Sequence, residues 1–425
     1  MATSQQNGTL GAATGLYVAL QSTGVVELAF DAQKGVKESL SVVSINTKAG
    51  FMPGWLTVSG DKVYTINRMG YPCSESDSGS VTAFQRATAG SSSATGETGL
   101  TLLDQTSSNG KGGVHCDVSP DGKVLAAANI TASTLSIYPL SATGSIGKPT
   151  HVFDYNKSDP GPKEAHPHQA LFDPSGKLLV VPLRTMDRVD IYSVDGPEQV
   201  AKIHSIPLPD STGPRHAAFH PVSSSKAYLY VLSEKDNTVR VYAIGYPSPV
   251  SPNLTVEFKQ VLSTMGKDVG RIPDEHKDLA GEIVVSNDGK FVYASNRNLS
   301  RSDFDTVAIY SVDSDPVHDD RHLSYLGAQE LAGKHPRMIA LSKDSENRWL
   351  AISHQLTQNI AIFERDPVTG FLKDLKGTIS VRANHAHQPD IEKVTFAEDL
   401  GVRGNWTKED LKQGKTEGPM CVQWK

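Results

Sequence analysis

The stretch HPHQALFDPSGKLLVVPLRTMDRVDIY, residues 166–192, contains the pattern that decides the fold. A short, mostly apolar run leads into a Ser-Gly turn, a strand rich in Val and Leu follows, and a third short strand ends the unit. Asp-Gly and Ser-Gly pairs between apolar strands are typical of hairpins, since a tight turn needs a positive φ near the glycine. The stretch therefore predicts consecutive antiparallel strands.

The same template recurs along the chain. Pro120, Pro174 and Pro221 mark the same turn position in three of the copies. The copies read GWLTVSGDKVYTINR, GVHCDVSPDGKVLAAANI, PHQALFDPSGKLLVVPLR, PRHAAFHPVSSSKAYLYVLSE, GEIVVSNDGKFVYASNR and PRMIALSKDSENRWLAISHQ. Three or four strands in a repeat of roughly 50 residues are the unit of a β-propeller blade. The sequence predicts an all-β protein with one domain.

The two ends of the chain predict how the ring closes. GLYVALQSTGVVELAFD, residues 15–31, has the second and third strands of a repeat without a first, while QPDIEKVTF, residues 388–396, resembles an unpaired first strand. Together they complete a seventh blade, and this pairing protects open sheet edges. We expect a disordered segment at 1–14, a seven-bladed β-propeller at 15–397 and a C-terminal tail at 398–425.

Composition excludes several classes of function. Hydrophobic residues make up 38% of the 425 residues and charged residues 21%, and no apolar run reaches the roughly 18 residues of a membrane span. The formal net charge is −6 without a basic block, which disfavours nucleic-acid binding. The N-terminus lacks a basic region followed by an apolar core, so we expect a cytoplasmic protein. Cys73, Cys116 and Cys421 predict free thiols, and we expect a monomer or a weak homo-oligomer.

Ionisable residues occupy two columns of the repeat. In an up-and-down sheet, the residue after the second strand and the residue before the first strand lie at the same end of the blade, so both columns predict one rim around a central channel. The first column consists of Gln21, Arg68, Ile130, Arg184, Glu234, Arg297 and Gln355. The second column, with a shift of one residue allowed, consists of His115, His168, Arg215, Glu282 and Arg337.

This rim predicts a site for a small anion with a carboxylate or phosphate group. Guanidinium groups bind such anions bidentately and keep their charge. The alternative is that the arginines only form structural ion pairs with Glu234 and Glu282. A histidine, a carboxylate and several arginines together favour general acid-base catalysis with electrostatic stabilisation.

Three motifs resemble the seven-bladed propeller lactonase family, which includes propeller-type 6-phosphogluconolactonases and fungal 3-carboxy-cis,cis-muconate lactonizing enzymes. They are GPRHAAFHP at 213–221, AGEIVVSNDGKFVYASNRN at 280–298 and FERDPVTGFL at 363–372, and the resemblance covers residues 15–397. It implies catalytic roles for His168, Arg215, Glu234 and Arg297, and no metal or organic cofactor. We expect substrate-binding roles for Arg184, Arg337, His115, Glu282, Arg68 and Gln355. One departure is Leu183-Arg184-Thr185, where the family usually has Asp-Leu-Gly.

The resemblance implies lactone chemistry, either hydrolysis of the 6-phosphogluconolactonase type or the reverse ring closure of an unsaturated diacid. In hydrolysis, Arg215 or Arg297 would stabilise the tetrahedral oxyanion and His168 would transfer a proton. Glu234 would act as general base or would orient His168. The sequence leaves the direction open.

Two further functions stay open. His166-Pro-His168 and His385-Ala-His387 have an H-x-H spacing that places both side chains on one strand face, as in zinc or nickel sites. The propeller could also be a non-enzymatic platform for a protein partner, although the chain lacks the Trp-Asp and Gly-His repeat signatures of such platforms.

Overall fold

Each repeat folds as a four-stranded antiparallel sheet, and seven such sheets form a ring, as predicted. The computed structural model describes residues 14–21, 23–73, 76–87, 99–158, 164–221, 226–247, 253–266, 278–299, 302–313, 322–381 and 418–425. The predicted segment at 1–14 lies outside these residues except for Thr14.

The first half of the chain contributes β1 (Thr14–Leu20), β2 (Gly24–Phe30), β3 (Leu40–Asn46), β4 (Pro53–Ser59), β5 (Lys62–Asn67), β6 (Ser80–Arg86), β7 (Leu100–Ser107), β8 (Gly113–Val118), β9 (Val124–Asn129), β10 (Thr134–Pro139), β11 (His151–Asp154), β12 (Leu171–Phe172), β13 (Leu178–Leu183) and β14 (Arg188–Val194). The second half contributes β15 (Val200–Pro207), β16 (Pro214–Phe219), β17 (Lys226–Ser233), β18 (Thr238–Gly245), β19 (Thr255–Ser263), β20 (Leu279–Val285), β21 (Phe291–Arg297), β22 (Thr306–Val312), β23 (Leu323–Glu330), β24 (Pro336–Leu341), β25 (Trp349–His354), β26 (Asn359–Arg365), β27 (Leu372–Ser380) and β28 (Pro419–Trp424). A 3-10 turn spans Thr47–Ala49 and a single α-helical turn, α1, spans Tyr155–Ser158.

Blades 1 to 6 take consecutive sets of four strands from β4 to β27, and blade 7 has the order β28-β1-β2-β3. The first strands of neighbouring blades contact one another, so they line the centre of the ring. Burial follows this arrangement. Every residue of β9 and β13 is buried, because neighbouring blades cover both faces, and their sequences VLAAAN and LLVVPL are accordingly apolar. The outer strand β23 alternates between exposed and half-buried residues after its buried first residue.

The hairpin turns between first and second strands have the predicted chemistry. In blade 2 the hydroxyl of Ser119 donates to Asp121 Oδ1 at 2.7 Å and accepts from the backbone N of Val124 at 3.0 Å. Gly122 completes the turn at a φ of 72°. In blade 6 the turn contains Asn347 at a φ of 47° in place of glycine. Asparagine tolerates this left-handed conformation better than most residues.

The ring closes by pairing of the N-terminal strands with a C-terminal strand, which confirms the predicted closure. β28 pairs antiparallel with β1, with Val18 opposite Val422, and the indole of Trp424 donates to the carbonyl of Ala340 in blade 6 at 2.9 Å. The expected strand at 388–396 lies outside the described residues. The closing strand Pro419–Trp424 comes from the segment predicted as a tail, so we correct that boundary. Its sequence PMCVQW has no hairpin after it, the signal that identified the other first strands.

Cys73 is exposed, Cys116 and Cys421 are buried, and all three are free thiols, as predicted. In the part of the chain that the structure describes, no helix is long and apolar enough to cross a membrane.

Candidate functional site

The first column of ionisable residues converges at one end of the ring, at the ends of the second strands. Glu234, which follows β17, is the centre of this cluster. Arg184, which follows β13, binds it bidentately, with Nε at 2.9 Å from Oε2 and Nη2 at 3.0 Å from Oε1. Arg297 Nη2 lies 3.2 Å from Oε1, and Arg215 Nε lies 3.7 Å from Oε2. Three arginines from blades 3, 4 and 5 thus contact or flank one carboxylate, and blade 4 is Glu234's own.

The arginines set the protonation state of Glu234. Burial alone would raise its pKa, but Arg297, Arg184 and Arg215 outweigh burial and lower the pKa to about 2. Glu234 is therefore ionised and weakly basic at neutral pH. Both of its oxygens face guanidinium groups, and the hydrogen bonds of the described residues join His168 to His216 rather than to Glu234. Glu234 thus holds Arg184, Arg215 and Arg297 together, and the general-base or orienting role expected for it stays a prediction.

The second column contains β-bulges at the start of the inner strands. In blade 4 the pairing of β16 with β17 shifts between Pro214 and His216, so Arg215 is the extra residue. The same shift between Pro336 and Met338 makes Arg337 the extra residue in blade 6. A bulge interrupts the regular alternation of side chains along a strand and changes the direction of the extra residue's side chain. This geometry turns the two arginines away from the regular ladder.

Alignment on the bulges separates two tiers of inner-strand residues. The upper tier comprises Gly54, Val114, His168, Arg215, Gly281, Arg337 and Met420, and the lower tier, one residue later, comprises Trp55, His115, Gln169, His216, Glu282, Met338 and Cys421. His115 and Glu282 thus lie one step further along the strand than Arg215 and Arg337. This difference of one step along the strand is the reason why the sequence alignment of the column needs a shift of one residue.

His168 and Glu282 are connected through His216, which sequence reasoning did not single out. His216 Nε2 lies 3.2 Å from His168 Nδ1, and His216 Nδ1 lies 2.7 Å from Glu282 Oε1. All three side chains are buried. Burial, and then the nearby arginine Arg215, lower the pKa of both histidines well below the ordinary value, so both rings are neutral at pH 7. His216 is adjacent to Arg215 in the motif GPRHAAFHP, which was the available signal.

His115 lies against an aromatic ring and apart from the Glu234 cluster. Its ring centroid is 4.2 Å from that of Trp55 and 5.6 Å from that of His216. The backbone N of Ala170 approaches its Nδ1 at 3.5 Å. Burial lowers the pKa of His115 well below its ordinary value, so the ring is neutral. These contacts give His115 a packing role in the lower tier beside any contact with substrate.

Arg337, Gln355 and Arg68 form a further part of the site. Arg337 Nη1 lies 3.4 Å from Gln355 Oε1. Burial and the charge of Arg215 lower the pKa of Arg337, and Arg68 is a further nearby positive charge. Arg337, Arg68 and Arg184 are half-buried, whereas Arg215 and Arg297 are buried, so the first three carry the more accessible positive charges of this cluster.

His335, a second histidine that the sequence did not single out, contacts Arg297. His335 Nε2 lies 3.3 Å from Arg297 Nη1, and its Nδ1 lies 2.8 Å from Asn298 Oδ1. The backbone of His335 has a φ of 60°, a conformation that costs free energy for a residue with a Cβ. The buried carboxylate of Asp305 holds it there by accepting from the His335 backbone N at 2.6 Å. His335 directly precedes β24, but the second column was aligned on Arg337, two residues later.

The H-x-H pairs give no metal centre within the described residues. No three His, Cys, Asp or Glu side chains in that part of the chain converge as metal ligands. His166 Nε2 lies 2.8 Å from Glu164, whereas His168 contacts His216. The two histidines therefore contact different residues and do not face one shared ligand position. His385 and His387 lie outside the described residues.

Comparison with known proteins decides the family. The sequence profile of the family described as "Lactonase, 7-bladed beta-propeller" matches residues 11–386. The chain belongs to this family. A 6-phosphogluconolactonase of Formosa agariphila is 28% identical over 296 residues, 68% of this chain and 77% of that protein. The 6-phosphogluconolactonase of Bacillus subtilis is 28% identical over 287 residues, 66% of this chain and 74% of that protein.

Solved structures support the fold of this propeller lactonase family member. A protein of Bacteroides fragilis superposes with a TM-score of 0.70 at 21% identity, covering 99% of this chain and 100% of that one. The resemblance noted in the sequence is thus confirmed. The relatives' names point to lactone hydrolysis and give no specific support to the lactonizing alternative.

Proposed function

We propose that this protein hydrolyses a small anionic lactone at the arginine-rich end of the propeller, with 6-phosphogluconolactone as the first candidate substrate. The names of its relatives support this reaction class. The observation that carries the proposal is an excess of positive charge around one carboxylate. Arg184, Arg215 and Arg297 contact or flank Glu234 and keep it ionised, and Arg337 and its neighbour Arg68 add two further positive charges.

The charge of the cluster favours an anionic ligand over a neutral one. Glu234 neutralises only one of the five guanidinium groups. Burial raises the pKa of Glu282 to about 8, so this second carboxyl adds little negative charge at neutral pH. A phosphate or carboxylate on the substrate would meet the half-buried groups of Arg337 and Arg68 and supply the missing negative charge.

His168 is the proposed general base. Its Nδ1 faces His216, which leaves Nε2 for a water molecule. Nε2 takes one proton from water as the water oxygen attacks the lactone carbonyl, and the ring C–O bond then breaks with return of a proton to the leaving alkoxide. Arg215 and Arg297 stabilise the intermediate oxyanion, a contribution of roughly 3 to 4 kcal/mol for a well-placed donor. Glu234 and His335 act on the reaction through the arginines they position.

Proton release at constant pH tests the proposal. We expect hydrolysis of 6-phosphogluconolactone with kcat/KM at least about tenfold above that of glucono-1,5-lactone, which corresponds to about 1.4 kcal/mol from the phosphate contacts. Arg337→Ala should reduce this preference, while Arg348→Ala, which removes a partly exposed arginine packed over Trp349, should not. Absence of turnover with phosphorylated, neutral and carboxylated lactones alike would overturn the proposal.

A further inference from the structure

The inner strands enclose a cavity at the end of the ring opposite the arginines. It has a volume of about 580 Å³ and reaches from the lower tier to the hairpin turns. Its inner wall includes Trp55, His115 and Glu282, and its outer margin includes Pro120 and Pro174. We name this space the opposite-end cavity. Glu282 therefore lines this cavity while it also contacts His216.

We infer that Glu282 and His216 form a proton relay that connects His168 to the opposite-end cavity and switches His168 Nε2 between proton acceptor and proton donor. The inference rests on the proposed function. It identifies His216 and Glu282 as positioning residues for His168. The observations that carry it are the two contacts of 3.2 Å and 2.7 Å along the chain His168, His216, Glu282, and the position of Glu282 at the cavity wall.

The two contacts allow two tautomeric states. When Glu282 is ionised, His216 Nδ1–H donates to Glu282 Oε1 and His216 Nε2 accepts from His168 Nδ1–H. His168 Nε2 then has a lone pair and can accept a proton. When Glu282 is protonated, its O–H donates to His216 Nδ1, and His216 Nε2–H donates to His168 Nδ1. His168 Nε2 then bears a hydrogen and can donate it.

One proton converts the first state into the second. His168 Nε2 takes a proton from the attacking water, the Nδ1 proton of His168 moves to His216 Nε2, and the Nδ1 proton of His216 moves to Glu282 Oε1. The relay gains one proton, and its total charge changes from −1 to 0. The reverse sequence returns a proton through His168 Nε2, or Glu282 releases it to water in the opposite-end cavity while substrate occupies the arginine end.

The environment of the relay favours Glu282 as the resting place of the proton. Burial lowers the pKa of both histidines and raises the pKa of Glu282 to about 8. Among the described residues, Glu282 Oε2 is buried and has no hydrogen-bond partner, and the Glu282 side chain lines the opposite-end cavity. The charged and titratable groups that face the relay are Arg215 on β16, Arg297 on β21, Arg337 on β24, Arg184 after β13, Glu234 after β17, His115 on β8 and Cys421 on β28. Asp117 and Lys343 line the same cavity.

Glu282→Gln tests the relay in kinetics, because a glutamine cannot exchange the proton. His168 acts as base only when Glu282 is ionised, so kcat of the wild type should rise with pH through about 8. In Glu282→Gln we expect kcat to fall about 100-fold, KM to change less than about twofold, and the rise with pH to disappear. Asp117→Asn is the matched control, a carboxyl of the same cavity without contact to His216, and it should keep the rise.

Infrared spectroscopy tests the relay without any substrate. A protonated carboxyl gives a C=O stretch that disappears on ionisation. We expect wild type and Asp117→Asn to lose such a band between pH 7 and pH 9 as Glu282 ionises. Burial also raises the pKa of Asp117 to about 7, so the band of Glu282 is read in the Asp117→Asn background. The double variant Asp117→Asn/Glu282→Gln should lack this change, and His216→Gln in the same background should retain the band but lose the kcat of the wild type. If the double variant keeps the band and Glu282→Gln keeps the pH profile, the relay is wrong. If no lactone is turned over while the infrared changes follow these expectations, the proposed reaction fails and the relay geometry stands.

Discussion

At the scale of a single residue, Glu234 affects both the charge balance of the site and the stability of the fold. Its carboxylate is buried among Arg184, Arg215 and Arg297, whose charges would otherwise repel one another. Removing one partner of a buried ion cluster typically costs about 3 to 5 kcal/mol. We expect Glu234→Gln to lower the free energy of unfolding by about this amount, as measured by denaturant titration at pH 7.

The same carboxylate predicts a dependence of stability on pH. The pKa of Glu234 falls from 4.5 to about 2 in the folded protein, so its contribution is complete above 4.5 and is lost as pH falls toward 2. The difference in unfolding free energy between wild type and Glu234→Gln should therefore be larger at pH 6 than at pH 3. An equal difference at both values would show that the arginines do not set this pKa.

Substitution of His168 tests its proposed role as general base. Its ring is buried and shares a hydrogen bond with His216, so truncation should lower the free energy of unfolding by about 1 to 3 kcal/mol while the propeller still folds. We expect His168→Ala to lower kcat at least about 100-fold, the usual contribution of a general base. His204→Ala, on the outer strand β15, is the control and should retain full activity. Normal turnover by His168→Ala would remove His168 from the reaction.

At the scale of a structural element, the strand β28 completes blade 7 and closes the ring. Trp424 is fully buried between blades 6 and 7, where it packs against Phe30 and donates to the carbonyl of Ala340. Trp424→Ala should lower the free energy of unfolding by about 3 to 5 kcal/mol. Trp349→Ala, a half-buried residue on the other side of Phe30, should cost clearly less in the same denaturant titration. Equal costs would show that β28 does not hold the ring closed.

Strand periodicity and turn residues were sufficient to predict the blades and the joint blade 7, because hairpin chemistry is local. The identity of β28 was not predictable, since a lone strand without a hairpin resembles many short apolar runs. The β-bulges at Arg215 and Arg337 were also hidden, because a bulge is visible only in the pairing register. The columns therefore identified residues that converge near the centre of the ring but mixed its two tiers. The same uncertainty hid His216, which lies one residue after a predicted site residue.

The concentration of arginines at one end matters at the scale of the whole molecule, because the chain as a whole is acidic with a formal net charge of −6. The local positive field should attract an anionic substrate against the overall charge, and salt screens such attraction at distances beyond about 8 Å at physiological ionic strength. We expect KM for 6-phosphogluconolactone to rise with ionic strength while kcat stays constant. KM for neutral glucono-1,5-lactone should not change, and a matching change for both lactones would contradict electrostatic capture.

The ring also explains why residues far apart in sequence meet. Arg184 and Glu234 are 50 residues apart, and His216 and Glu282 are 66 apart, yet each pair is in direct contact because neighbouring blades place equivalent positions side by side. Sequence repeats could predict this convergence. The ion-pair geometry, which makes Glu234 an organiser of arginines and joins His168 to Glu282, depends on side-chain packing that repeats do not encode.

A crystal structure of the protein with 6-phosphogluconate, the product of the candidate reaction, tests the central claim most directly. The account predicts the acid at the arginine end, with its anionic groups in contact with Arg215, Arg297 or Arg337 and its carboxylate beside His168 Nε2. An acid bound in the opposite-end cavity or on the outer strands, with the arginine end free of it at saturating concentration, would contradict the account.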